Sequence, residues 1–346
     1  MRRYTIVLDH LNGREAAALL LDGQLHDLLI DDDQQPRPGA IFRGICDRPM
    51  KGQGGMMMRL PDGKTGFLRQ GKGLRPGQSL LLQVSGYAEP GKAVPLTDRL
   101  LFKSRYAIVT PGRPGINLSR QVSDEEERGR ILAVGRSVAE DSPHGIILRS
   151  VCEGASDDEI SEDIIEMIDL ADTILVEAEG SEPELLTEGE TPHAIAWREW
   201  PHNADIETKA GGFERLGVAD QLETLLQPEL ALADGSMVVE QTRALIAVDV
   251  NTGGDTSPNA ALKANLAAAK ALPKTLRLRG LGGQVVVDFA PMSKAHRKQL
   301  DQSLKASFKS DAIETSLVGW TTMGLFELQR KRERLPLETI LHEVLS

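Results

Sequence analysis

The chain has few cysteines, no long apolar run and, across one extended stretch, no basic side chain at all. Its two cysteines, Cys46 and Cys152, stand 106 positions apart. Neither belongs to a Cys-x-x-Cys or Cys/His cluster, which excludes a disulfide framework and a cysteine zinc site; both are expected as reduced thiols. The apolar runs fall far short of the 18 or so residues of a helical membrane span. The opening MRRYTIVLDHLNG carries charge but no signal-type apolar region, so the expected location is cytoplasmic.

The missing basic residues are those between Ser150 and Trp197, where 15 Asp or Glu meet no Lys or Arg. The formal charge of the whole chain is −11, so everything outside this segment carries +4. Two basic lobes flank the acidic one: Arg37 to Arg105 has 13 Lys/Arg against 4 Asp/Glu, and Lys263 to Lys309 has 10 against 2. The sum therefore hides a distribution that suits a nucleic-acid partner, although charge runs also serve simply as solvated faces.

At 346 residues there is room for two or three domains with cores of their own. Residues 4 to 30 are apolar runs broken by NG and DG, the pattern of a β-meander with tight turns. DDDQQPRPG then marks a boundary near Pro36. From Gly39 to Tyr106 short strand-like pieces alternate with turn residues, as in a small antiparallel barrel of the OB type, with Phe42 and Phe67 as candidates to stack on bases or to fill its core. GYAEPGK, residues 86–92, matches the start of a phosphate-binding P-loop but continues with Ala93 in place of Ser or Thr; Pro90 stiffens it and no helix follows, so a hairpin loop is expected. SDEEERGRILAVGRSVAE, residues 123–140, reads as a helix capped by Ser123 with Glu126 in the capping-box position. HGIILRS reads as a strand ending at Arg149 and Ser150. A second helix follows, with Ile160, Ile164, Ile168 and Thr173 on one side; residues 180–212 read as mostly loop. The last third alternates strands and helices, with helices over about 259–279 and 293–308. Its continuous apolar strands predict an α/β layer covered on both faces.

Two of those strands end in aspartate. LIAV precedes Asp249 and QVVV precedes Asp288, so side by side they would carry two carboxylates to one rim, within reach of one cation. Magnesium is commonly held by one or two carboxylates together with phosphate and water, which suits phosphoryl chemistry. Asn251 shares a strand face with Asp249, and Gly253 and Gly254 remove bulk where a backbone would pass. The same pattern also serves two strand caps, and by itself it names no substrate.

The run EQTRALIAVDVNTGGD, LRLRGLGGQVVVDFAPM and GLFELQRKR closely resembles the catalytic core of the ribonuclease E/G family. GREAAALLLDGQLHDLLID, AIFRGI, TGFL, INLSRQVSDEEERGRI and GIILRS extend the likeness upstream, while residues 152 to 212 are only weakly alike. The resemblance implies an α/β multidomain fold: an RNase H-like domain (1–35 and 107–215) interrupted by an OB-fold RNA-binding barrel (36–106), then a DNase I-like catalytic domain (216–346). It implies a Mg²⁺-dependent endoribonuclease that cuts single-stranded RNA to leave 5′-phosphate and 3′-hydroxyl ends. Asp249 and Asp288 would hold Mg²⁺, with Asn251 supporting the carboxylates or the scissile phosphate. Arg330 matches a basic residue near the bound strand, and Arg149 with Ser150 matches a pair that reads a 5′-monophosphate. The family's C-terminal zinc-link cysteines are absent, so a zinc-linked dimer is not expected and self-association would use other surfaces. The acidic segment after Ser150 disfavours a terminal phosphate there, and GGMMMRL stands where the family tends to carry an aromatic, leaving stacking to Phe67 and Phe42. A rival reading is an RNA-binding protein that keeps the family fold without cleaving. If the basic lobes carry the contact, affinity for single-stranded RNA falls steeply as salt rises; a flat binding isotherm series across salt concentrations contradicts this charge map.

Overall fold

The computed structural model describes residues 3–342 apart from 33, 51, 53, 90, 256 and 258, so Pro90 of the GYAEPGK stretch lies outside the described residues. The chain divides into two units, Met1–Asp33 with Trp200–Ser346 and Gln34–Glu199.

The first unit opens with the meander. Strands β1 (Tyr4–Leu11), β2 (Arg14–Leu21) and β3 (Gln24–Ile30) pair antiparallel in sequence order. Asn12, Gly13, Asp22 and Gly23 all have positive φ, the conformation that two-residue hairpin turns require and that Asn-Gly and Asp-Gly accept most readily.

In the second unit, β4 (Ile41–Met50), β5 (Gly55–Arg59), β6 (Thr65–Leu68), β7 (Ser79–Val84) and β8 (Val94–Thr97) form a closed barrel in the order β4-β5-β6-β8-β7, shut by pairing of β4 with β7. Closure leaves none of the five with an unpaired edge. Met56, Met58, Leu68, Leu82 and Leu96 fill it. The chain continues through β9 (Phe102–Lys103), β10 (Ala107–Thr110), β11 (Gly115–Leu118), α1 (Glu125–Ala139), β12 (Gly145–Leu148) and α2 (Asp157–Val176). These strands make a second sheet, β11-β12-β10-β9, whose core joins Val109, Ile146 and Leu148 to Ile131 of α1 and Ile160, Ile164 and Ile174 of α2.

Three local expectations for this unit change. Asp124, not Ser123, caps α1, accepting a hydrogen bond from the Glu127 amide. Ile168 is only half-buried and Thr173 is exposed, because Ala171 and Ile174 complete the buried stripe of α2. Residues 180–212 are more ordered than a loop: β13 (Glu184–Thr187) pairs with β4, α3 spans Pro192–Glu199, and β14 (Asp205–Glu207), in the first unit, lies parallel to β1.

The first unit resumes with β14 and continues through α4 (Gly212–Arg215), α5 (Val218–Leu225), β15 (Glu229–Ala231), β16 (Ser236–Gln241), β17 (Ile246–Asn251), α6 (Ala260–Leu278), β18 (Gly283–Asp288), α7 (Lys294–Lys309), β19 (Thr315–Trp320), β20 (Phe326–Arg330) and α8 (Leu337–His342). Its six-stranded sheet has the order β15-β16-β17-β18-β20-β19, with β17 and β18 parallel and joined through α6. Alanine and leucine give α6 high helix propensity, and Ala264, Ala268, Leu272 and Leu276 recur at helical spacing on its buried side. Gly280, at φ 66, turns the chain out of the helix, while the Leu281 amide donates to the Leu276 carbonyl at 2.8 Å to close a Schellman motif.

Both α6 and α7 pack on one face of this sheet, where Leu272, Leu276, Leu300 and Leu304 meet Ile246, Val248, Val285 and Val287. Burial alternates along the strands instead of staying continuous, so the expectation of cover on both faces is corrected: Asp249, Asn251, Gln284 and Asp288 are exposed. Among the described residues no helix is long and apolar enough to cross a membrane.

A buried charge network braces the first unit. Asp27 of β3 is 6% exposed. It accepts from Arg277 of α6 (Nε to Oδ1, 3.2 Å), from Arg334 (Nη2 to Oδ2, 3.0 Å) and from the Trp200 indole (3.3 Å). Arg277 also pairs with Asp311. Burial alone would raise the Asp27 pKa, but the charges and hydrogen bonds of Arg334 and Arg277 outweigh it and hold the carboxyl below its usual range. Its stabilising contribution is therefore complete above about pH 4 and lost as pH falls through the lower folded-state value. Asp27→Asn is expected to cost about 3–5 kcal/mol by leaving two arginines short of a counter-charge, read as a lowered urea midpoint at neutral pH.

Candidate functional site

The parallel register of β17 and β18 sets Asp249 directly opposite Asp288. Neighbouring strands lie about 4.8 Å apart, and residues in register on one face project the same way, so the two carboxylates stand side by side. Asn251, two residues beyond Asp249 on the same face, donates from Nδ2 to Asp249 Oδ2 at 2.8 Å. That bond fixes the Asp249 rotamer and leaves Oδ1 for another partner. The Asp288 carboxylate has no hydrogen bond or ion pair within the described residues. The three residues singled out in the sequence thus meet on one exposed face.

After Asn251 the chain turns at Gly253, with φ 61. Asp255 accepts from the Ser257 amide at 2.8 Å and from its hydroxyl at 3.1 Å, and these bonds hold the Asp255 carboxyl below its usual range. Between this loop and the β15–β16 turn lies a cleft of about 390 Å³, lined in part by Asp234, Ser236, Thr252 and Asp255.

One contributor was not legible in the sequence. Asn265, fully buried in α6, donates to the Ala290 carbonyl and accepts from the Ala290 amide, both at 2.9 Å. Ala290 is two residues past Asp288, so this clamp fixes how β18 ends. A single asparagine inside the alanine-rich run LKANLAAAKAL was its only trace.

The other expected site residues are placed differently. Arg330 is 1% exposed and points to the helix side of β20, where Nη2 lies 2.6 Å from Asp311 Oδ2 and Nη1 donates to Thr315 Oγ1 at 2.8 Å. Burial, with Arg277 and Arg334 nearby, depresses its pKa, while the Asp311 carboxylate favours its charged form. It braces the sheet from beneath and does not share a face with Asp249. Phe42, 4% exposed, belongs to the barrel interior and presents no ring face to a base, because β4 turns it toward Leu82.

Phe67 is half-exposed on the barrel, opposite Met57 and Pro95 in the neighbouring strands, with Arg59 exposed on β5. A Cβ at Gly55 would collide with its ring, so the glycine lets the aromatic lie close over β5.

Arg149 donates from Nη1 to the carbonyls of Ser104 (2.7 Å) and Arg105 (3.2 Å) and pairs through Nη2 with Glu199; Ser150 begins a short 3-10 turn. Burial would raise the Glu199 pKa, but Arg149 and Arg198 hold it down, so a carboxylate of the chain itself faces the Arg149 guanidinium. Both cysteines are free and buried, and burial pushes the Cys152 thiol up to about 11, far from a reactive thiolate.

A model of the ribonuclease E/G family matches residues 102–210 and 202–333. Ribonuclease G of Escherichia coli (strain K12) is 26% identical over 310 residues, covering 78% of this chain and 62% of the relative. Ribonuclease G of Haemophilus influenzae is 28% identical over 308 residues, with the same coverage of 78% and 62%. Ribonuclease E of Synechocystis is 25% identical over 377 residues, covering 92% of this chain and 56% of the relative. The chain thus spans about 62% of the length of the ribonuclease G proteins it matches.

Asp249, Asn251 and Asp288 lie on a solvated surface, whereas Asn265 satisfies two buried backbone groups. Asp288→Asn is therefore expected to leave the unfolding free energy unchanged or to raise it by about 1 kcal/mol, since it removes one of two like charges, and Asn265→Ala to lower it by about 1–3 kcal/mol. Urea unfolding of the two variants checks this; a large loss for Asp288→Asn would make that residue a structural cap.

Proposed function

The chain belongs to the ribonuclease E/G family, and from that premise we propose that it is an endoribonuclease that cuts single-stranded RNA at Asp249, Asn251 and Asp288. The observation that carries this reading is the register that sets two exposed carboxylates opposite each other, one of them oriented by an amide.

The donor set suits magnesium. Among the described residues no group of three or more His, Cys, Asp or Glu could hold a metal, so two carboxylates must be supplemented by water and substrate phosphate. That is how magnesium is commonly bound. Asp249 and Asp288 would hold it; when bound it supplies Lewis-acid polarisation of the phosphate and activation of the attacking water. Asn251 keeps Asp249 in one rotamer through its 2.8 Å bond, so the carboxylate needs no reorganisation as charge develops at phosphorus. In-line attack of water at phosphorus, with departure of the 3′-oxygen, leaves a 5′-phosphate and a 3′-hydroxyl.

The barrel has the means to hold a single strand. Phe67 offers a half-exposed ring framed by Met57 and Pro95, and Arg59, Lys64 and Arg69 are exposed on or next to the same strands. Stacking on an aromatic with cations tracking phosphates is sequence-tolerant. Arg149, engaged by Glu199 and two carbonyls, is not assigned a substrate contact in this reading.

The test compares the wild-type chain with Asp249→Asn on an end-labelled, unstructured RNA with Mg²⁺. Cleavage by wild type to 5′-phosphorylated products, stopped by chelation and reduced about 10³-fold or more in the variant, is expected. RNA bound without cleavage by both proteins would overturn the enzyme reading in favour of a non-cleaving RNA-binding protein.

A further inference from the structure

A cation held by Asp249 and Asp288 serves only the phosphate at the pair, so the rest of a bound strand is held by cations along its path. The end of the sheet that carries Asp288 also carries Trp320, which lies with Phe326 on the helix side, so it meets the carboxylates' open face only around that end. Val287, Phe326 and Trp320 form one row across β18, β20 and β19, and Asp288 lies one residue beyond that row. The ring of Phe289, next in the chain, is 5.9 Å from the Trp320 ring. Trp320 is two strand spacings, about 10 Å, from β18.

Arg297 of α7 lies over this indole, its Cζ 4.5 Å from the ring centroid. Trp320 itself is held from three sides. Phe289 and Phe326 pack against it at 5.9 and 5.3 Å, and its Nε1 donates to Asp301 Oδ1 at 2.9 Å. Asp301, one helical turn after Arg297, is the carboxylate best spaced to neutralise it, yet it is turned to the indole instead. Among the described residues the Arg297 guanidinium makes no hydrogen bond and no ion pair. Both Arg297 and Trp320 are half-buried, and Lys294 and Lys298 of the same helix are exposed.

A guanidinium held over an aromatic ring still has its N–H donors, which lie in its own plane, available to another partner. Their fork matches phosphate oxygens, and a guanidinium already fixed in orientation loses less freedom on binding. Packing alone explains the stacking, since an arginine over a tryptophan is itself stabilising. It does not explain why the charge lacks a counter-ion at the end of the sheet where the two carboxylates stand.

We propose that Arg297, held over Trp320, binds a backbone phosphate of the RNA strand where it passes around the end of the sheet beyond Asp288, several nucleotides from the Asp249–Asp288 pair, and so positions the strand for cleavage. This rests on the ribonuclease reading above.

The test measures binding of a labelled, unstructured single-stranded RNA across a salt series in the non-cleaving Asp249→Asn parent, and in the same parent with Arg297→Gln or Arg297→Lys. Arg297→Gln is expected to weaken binding about tenfold at low salt and to make the slope of log affinity against log salt shallower by about 0.7, one phosphate contact on a single strand. Arg297→Lys should keep the slope while losing part of the affinity, because it retains the charge without the planar fork. In the chain with Asp249 intact, Arg297→Gln should raise KM with little change in kcat. Melting temperatures establish that the variants fold. If Arg297→Gln matches its parent in affinity and slope, Arg297 only packs on Trp320 and the proposal fails, while RNA binding by the parent leaves the ribonuclease reading standing. If the parent binds no RNA, both fall together.

Discussion

The parallel pairing of β17 with β18 puts Asp249 and Asp288 in register, and two like charges so placed constrain everything around them. Unit charges at 4 Å repel by about 1 kcal/mol in water and by about 4 at the effective dielectric of a protein surface. The pair is tolerable because its face is open to solvent, and it becomes an asset when a divalent cation is available. A second helical layer over this face would raise the cost of the pair and block access to it. The exposed side of the sheet is thus part of the site's design, as is the placement of both α6 and α7 on the opposite side.

Holding that register is the work of residues that never reach the open face. Asn265 ties α6 to Ala290 just beyond Asp288. Arg277, near the end of the same helix, joins Asp27 and Asp311, and Arg330 meets Asp311 from β20. Strand ends, crossover helix and meander are therefore braced by directional contacts as well as by the apolar core. Removing one partner of such a buried pair costs more than the pair contributes, because the survivor is left charged in a low dielectric.

The meander was legible because Asn12-Gly13 and Asp22-Gly23 leave few conformations open, and α6 and α7 because their apolar periodicity is strong. The paired aspartates were legible because a β-branched run ending in a carboxylate puts chemistry at a strand end. Cover on both faces was read from the apolar runs LIAV and QVVV, and there the sequence misleads: Ala247 and Val286 are half-buried on the open face, so apolar character does not reveal which side a helix covers. Arg330 shows the same limit. A basic cluster such as QRKR does not tell which arginine faces in, and only the alternation along β20 sends Arg330 to Asp311. The clamp by Asn265 depends on where α6 meets the end of β18, a long-range contact that local pattern does not carry.

What distinguishes a catalytic pair from two strand caps is whether one cation joins both carboxylates. The direct measurement is a crystal structure with Mn²⁺ in place of Mg²⁺ and a non-cleavable single-stranded RNA, read by anomalous scattering. An anomalous peak within about 2.0–2.2 Å of a carboxylate oxygen of both Asp249 and Asp288, with a phosphate oxygen completing its shell, is the predicted result. Ordered RNA with no metal between the two aspartates would contradict it.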